Sequence, residues 1–153
     1  MPTAYDLLHP AIKLALEDAA WKELRSIQEA AIQEWHGSPG HLLICANTAG
    51  GKTEAAFLPV LSQIADGRGR DSVKVLYMGP LKALINDQFR RVERLCEHAH
   101  IPVHKWHGDV GQAAKRKLLR NPSGVLLITP ESLERRLMEG DRQLLQLFGG
   151  LDA

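Results

Sequence analysis

Apolar and polar positions along this chain switch between two rhythms, one of helical period and one of short continuous or alternating runs. Residues Ala11 to Ala20 follow the helical period, and His9-Pro10 stands before them, where proline suits a first helical turn. Ser26-Ile27-Gln28-Glu29 has the S-x-x-E spacing of a capping box and predicts a helix to about Trp35, ending before Gly37-Ser38-Pro39-Gly40. His41 to Ala46 (HLLICA) is a nearly continuous apolar run, the pattern of a buried parallel strand. A glycine-containing turn leads into a helix from Lys52 to about Ala65, in which Pro59 removes one hydrogen bond and predicts a kink. After a turn at Gly67 to Asp71, Val73 to Met78 reads as a strand and Lys82 to His98 as a helix. Val103 to His107 reads as a third strand, Gln112 to Leu119 as a helix, Gly124 to Thr129 as a fourth strand, and Glu131 to Phe148 as mostly helical.

Alternation of strand and helix predicts an α/β fold, a parallel sheet with helices on both faces. Ligands in such sheets sit at the carboxyl ends of the strands. The segments that carry chemistry in this sequence each follow a predicted strand directly.

Composition adds bounds. With 153 residues the chain suffices for one ordinary domain, and 44% hydrophobic with 24% charged residues is the balance of a globular protein. No apolar run approaches the roughly 20 residues of a membrane span, and Met1 to Asp6 is too polar for a signal peptide. The only cysteines, Cys45 and Cys96, lie far apart, as expected of a reducing cytoplasm. A net charge of +1 does not by itself call for a nucleic-acid partner. The basic clusters Lys115-Arg116-Lys117 with Arg120, and Arg90-Arg91 with Arg94, read as solvated helix faces. Cys96, His98, His100, His104 and His107 have no common zinc spacing, and Trp21, Trp35 and Trp106 read as packing residues.

The strongest local signal is Ala46-Asn47-Thr48-Ala49-Gly50-Gly51-Lys52-Thr53, between a predicted strand and a predicted helix. Binding phosphate needs backbone N–H groups converging on an anion, hence tight turning and little side-chain bulk, which Ala49, Gly50 and Gly51 supply. The helix N-terminus adds partial positive charge. Lys52 can reach the β- and γ-phosphates of ATP, and the Thr53 hydroxyl suits Mg²⁺.

Beyond the loop, the string CANTAGGKTEAAFLP resembles motif I of superfamily 2 helicases, the DEAD/DEAH-box group, which favours alanine at the position of Ala46. Ser26 to Ile32 is similar to the Q motif, with Gln28 matching the glutamine that reads adenine. Pro80 to Gln88 (PLKALINDQ) resembles motif Ia, Trp106 to Asp109 the glycine-containing segment after the third strand, and Thr129 to Leu133 motif Ib. The PLKAL and TPESLE wording points to the large-helicase-related, Lhr-like branch. The resemblance implies a RecA-like fold, with residues 1–153 forming the N-terminal part of its first domain and the second RecA-like domain absent. It also implies that Pro80, Lys82, Gln88, Gly108, Thr129 and Pro130 grip the backbone of one nucleic-acid strand without reading its sequence, DNA before RNA. In many relatives an aromatic residue upstream of the glutamine stacks on adenine; Tyr5, His9 and Trp21 are the candidates here. Where the family usually has glycine, this chain has Ala49; a positive φ there costs about 1 kcal/mol, with Gly50 placed to absorb the strain.

In that family a D-E-x-x box holds Mg²⁺ and positions the attacking water, and this sequence contains no D-E pair. No catalytic set is complete: Lys52 and Thr53 would support hydrolysis only in an intact enzyme. The expectation is a helicase fragment, with open sheet edges and marginal stability when alone. Two other readings compete, a non-catalytic nucleotide- or partner-binding module and a small-molecule phosphotransferase, the latter leaving PLKAL and TPESLE without a purpose.

Overall fold

The protein is represented by a computed structural model that describes residues 1–67, 71–140 and 142–153. The described residues form two compact units, Met1–Asp66 and Gly67–Ala153. Three of the five positions of the turn predicted at Gly67–Asp71 lie outside the described residues.

The first unit is helical: α1 (Pro10–Asp18), α2 (Ser26–Gly37) and α3 (Lys52–Ile64). Helix α1 starts where Pro10 follows an extended His9, whose Nδ1 accepts the Ala11 N–H at 3.2 Å and caps the turn. Its apolar stripe, Ile12, Ala15 and Leu16, is buried. Helices α2 and α3 pack on each other, and Ile32, Ala55, Leu58 and Leu61 are fully inaccessible. Helix α3 runs through Pro59. The predicted Ser26–Glu29 capping box does not form. The N-cap is Arg25, one residue earlier, and the reciprocal bond comes from Gln28, whose Oε1 accepts the Arg25 N–H at 2.9 Å. With the cap at Arg25, Gln28 is the third helical residue and its amide reaches back to the cap N–H, a place that the S-x-x-E spacing gives to Glu29.

The strand predicted at His41–Ala46 is also absent. The segment has no ladder partner among the described residues, and Leu43 is 86% exposed. An apolar run becomes a strand only when a neighbour takes its N–H and C=O groups; unpaired, its backbone stays in water.

The second unit holds the sheet. Strands β1 (Val75–Met78), β2 (Val103–Trp106) and β3 (Val125–Ile128) lie parallel in the order β1-β3-β2, with Val75, Val125 and Val103 in register. Central β3, Val-Leu-Leu-Ile, is buried at every position, as a strand covered on both faces must be. Around the sheet run α4 (Lys82–Cys96), α5 (Gln112–Arg120), α6 (Pro130–Met138) and α7 (Arg142–Phe148). Val73, Trp106, Leu118, Leu126, Ile128 and Leu147 form the core cluster. At the other edge of β1, Leu76 N–H donates to the Ala153 carbonyl at 2.8 Å, and Ala153 N–H to the Lys74 carbonyl at 3.1 Å. That alternation is a parallel ladder step, so the C-terminal residues cover part of an edge that β1 would otherwise present to solvent.

Candidate nucleotide and nucleic-acid sites

In the first unit, the loop before α3 is shaped by two left-handed residues, Ala49 at φ 59° and Gly51 at φ 85°. Gly51, not Gly50, takes the second strained position and is the N-cap of α3. Gly50 is needed for a different reason: a Cβ there would stand 2.8 Å from the Asn47 carbonyl oxygen, because Gly50 N–H closes a turn onto that oxygen at 3.0 Å. The N–H groups of Gly51, Lys52 and Thr53 have no acceptor among the described residues. These are the orphan donors of a helix start, and they gather where the backbone is bare of side chains. Lys52 folds back over the loop, its Nζ donating to the carbonyls of Ala46 at 2.6 Å and Asn47 at 2.8 Å. Orphan donors, a helix N-terminus and one ammonium fit a phosphate chain, and Asn47, Thr48 and Ala49 leave the approach open to solvent.

Gln28 ties α2 to this loop. It is 1% exposed, its Oε1 is held by Arg25, and its Nε2 points at the Gly51 carbonyl from 3.5 Å. The Arg25 guanidinium also donates to the Ala49 carbonyl. Arg25 thus steadies the strained alanine, a role without a signal in the sequence beyond its place three residues before Gln28. Of the upstream aromatic candidates, Tyr5 bonds Glu17 and carries Lys13 over its ring, and His9 caps α1 and faces Asp66 at 3.2 Å. The Trp21 ring is half-buried and makes no such contact among the described residues.

In the second unit, a groove of about 840 Å³ opens at the carboxyl ends of the strands. Pro80, Lys82, Gly108 and Thr129, from three separate segments, all line it. Pro130 opens α6 beside Thr129, whose backbone is extended and whose Oγ1 donates to Ser132 Oγ at 3.0 Å. Lys82, in the first turn of α4, meets Asp109 Oδ1 at 2.9 Å, and that bond holds the Asp109 carboxyl below its usual range. Both side chains are more than half exposed, so the pair is easily exchanged. A Cβ at Gly108 would come within 3.3 Å of Lys82 Nζ. Gln88 does not join the groove: it lies 5% exposed on the inner side of α4, and its Oε1 has no partner among the described residues.

His107, Asn86 and Lys105, none of them among the predicted grip residues, tie the groove segments together. His107 Nδ1 accepts the Asp109 N–H at 3.3 Å, which leaves Nε2 to donate to Asn86 Oδ1 at 3.2 Å. Lys105 Nζ reaches the same oxygen at 2.9 Å. Burial pushes His107 below the ordinary histidine value, against the pull of Asp109 and with help from Lys105, Lys82 and Lys115. A neutral imidazole therefore links the glycine segment to α4.

The family model for DEAD/DEAH box helicases matches residues 25–149. The chain belongs to this family. It is 28% identical to the ATP-dependent helicase Lhr-Core of Methanocaldococcus jannaschii, over 96% of this chain and 19% of that protein. It is 31% identical to the Lhr helicase/uracil glycosylase of Escherichia coli, over 83% of this chain and 10% of that one. The structure of Mycobacterium smegmatis helicase Lhr bound to ssDNA and AMP-PNP superposes with a TM-score of 0.80 at 26% identity, covering 98% of this chain and 20% of that one. The chain thus spans a fifth or less of these relatives and corresponds to their RecA-like region. Nucleotide use and nucleic-acid binding are properties of this family, and the Lhr-like wording of PLKAL and TPESLE agrees with the relatives found.

Proposed function

We propose that this chain binds ATP at residues 46–53 and one nucleic-acid strand in the groove of its second unit, as the N-terminal part of the first RecA-like domain of a helicase. The observation that carries this reading is the convergence of Pro80, Lys82, Gly108 and Thr129 on one groove. Bare backbone, one hydroxyl and one exchangeable ammonium make a phosphate-backbone grip and no base reader. A bound phosphate replaces Asp109 as the partner of Lys82. Gln88 serves this grip from inside, by seating α4.

At the loop, the incoming triphosphate draws Lys52 off the Ala46 and Asn47 carbonyls and takes the free N–H groups of Gly51, Lys52 and Thr53. Thr53 supplies its hydroxyl to the Mg²⁺ that accompanies ATP. Gln28 reads adenine once its Nε2 leaves the Gly51 carbonyl, and Trp21, the disengaged ring, stacks on the base. Single-stranded DNA is the expected strand, the reaction belongs to the cytoplasm, and hydrolysis awaits a carboxylate box that this sequence does not contain.

Two titrations test the reading. Calorimetry with ATP–Mg²⁺ should show weak binding that Lys52→Ala abolishes, with Gln28→Ala weakening adenine nucleotides but not inorganic triphosphate. Fluorescence anisotropy with a labelled oligonucleotide should show binding that Lys82→Ala weakens at every sequence tried. Equal binding of ATP by wild type and Lys52→Ala, or of DNA by wild type and Lys82→Ala, would remove the corresponding half of the proposal.

A further inference from the structure

Trp106 forms a wall of the groove and holds two cations against its ring. Lys115 Nζ stands 5.5 Å from the ring centroid and the Arg136 guanidinium carbon also 5.5 Å. The two come from different helices, α5 and α6, and converge on a ring that is itself 8% exposed. Arg136 is neutralised locally, with Nη1 2.8 Å from Glu139. Lys115 is not: no carboxylate lies within ion-pair distance of it among the described residues. A partly buried ammonium, beside a second cation and with the groove's carboxylates, Glu131 and Glu139, outside ion-pair distance of it, is a place where an anion is wanted.

The helix geometry separates Lys115 from the rest of its basic cluster. Gln112, one turn earlier, lines the groove beside it. Lys117 lies two residues on, about 200° around the helix, and acts on His104 at the other side. Only one cation of the run Lys115-Arg116-Lys117 thus lines the groove. Resting on the ring also holds the lysine stem in place, so less freedom is lost when it binds.

We propose that Lys115, presented on Trp106, takes a backbone phosphate of the bound strand, extending the grip beyond Pro80, Lys82, Gly108 and Thr129. The assignment rests on the nucleic-acid reading of the groove. Each phosphate contact to a single strand adds about 0.7 to the slope of log K against log salt, which amounts to a roughly 5-fold gain in affinity at 0.1 M relative to 1 M.

The test is anisotropy of the full chain with labelled single-stranded DNA over a salt series, using wild type, Lys115→Gln, Lys115→Arg, Lys117→Gln and Lys82→Ala. Lys115→Gln should lose roughly 5-fold at 0.1 M salt and lower the slope by about 0.7, Lys115→Arg should restore both, and Lys117→Gln should follow wild type. A Lys115→Gln chain with wild-type slope, or equal losses for Lys115→Gln and Lys117→Gln, would overturn the assignment while Lys82→Ala still weakened binding. Failure of wild type to bind, or of Lys82→Ala to matter, would instead overturn the groove reading and this inference with it.

Discussion

Replacing Gly51 by alanine probes the phosphate loop through stability rather than activity. At φ 85° an L-residue is strained by about 1–2 kcal/mol. The new methyl would also stand 2.7 Å from Gln28 Nε2 and 3.2 Å from Arg25 Cδ. Gln28 is 1% exposed, so pushing its amide off the Gly51 carbonyl leaves a buried Nε2 without an acceptor in the unliganded chain, at about 1–3 kcal/mol. The stiffer unfolded chain gives back only about 0.4–1 kcal/mol. The net expectation is a loss of about 2–3 kcal/mol, a large share of the ~5–15 kcal/mol that holds a domain. Urea unfolding followed by circular dichroism should show the midpoint falling by about 1–2 M. Hydrogen exchange should speed up first in α2 and α3. The companion change Ala49→Gly should move the other way by about 0.5–1 kcal/mol, because it relieves a left-handed alanine at φ 59°. If Gly51→Ala unfolds at the wild-type urea concentration, or Ala49→Gly destabilises, the strained-loop account fails.

Further outcomes follow from other parts of the molecule. ATP turnover by the purified chain should stay at background with or without DNA, since no D-E pair is present; stimulated hydrolysis would require an acid that the motifs do not reveal. Burial holds both His104 and His107 below the ordinary histidine value of 6.5, so at pH values between their folded values and 6.5 the unfolded chain binds more protons. Thermal stability should therefore fall on going from pH 7.5 to 5.5, and a His104→Asn, His107→Gln chain that loses as much would contradict this. Thiol titration should find Cys45 reactive in the native chain and Cys96 silent until denaturation, because Cys96 is 1% exposed and its thiol is pushed up to about 12 by burial and Glu93.

How far the sequence speaks depends on whether a residue's role is set by its neighbours in the chain or in space. The β3 run Val-Leu-Leu-Ile was legible because a strand buried on both faces has no polar positions. His41–Ala46 carries the same signature without the structure, since a pattern can state that a strand would be buried but not that a neighbour is there to bond it. The cap of α2 moved by one residue because Gln28 and Glu29 both can reach back, and burial chooses Gln28. The groove residues were legible as motif wording, yet Gln88 stands in that wording and lies buried, because six residues along the 3.6-residue turn of α4 set it about 120° around the helix from Lys82. Lys115 was visible only as one of a basic cluster; its aromatic partner Trp106 is nine residues back and on another element.

The strand order has a consequence for how the second unit comes into being during synthesis. Neither β1 nor β2 pairs with the other; among the strands of the described residues each pairs with β3, which is made last of the three. Val75 leaves the ribosome about fifty residues ahead of its partner Val125, a delay of roughly 3–10 s at the usual rate of translation. Through that interval the β1 run Val-Leu-Tyr-Met has no sheet to join, and helix α4, whose hydrogen bonds are local, can form beside it first. The arrival of β3 then closes two ladders at once, so a slow or faulty residue in 125–128 delays the whole sheet, whereas one in β2 delays a single edge.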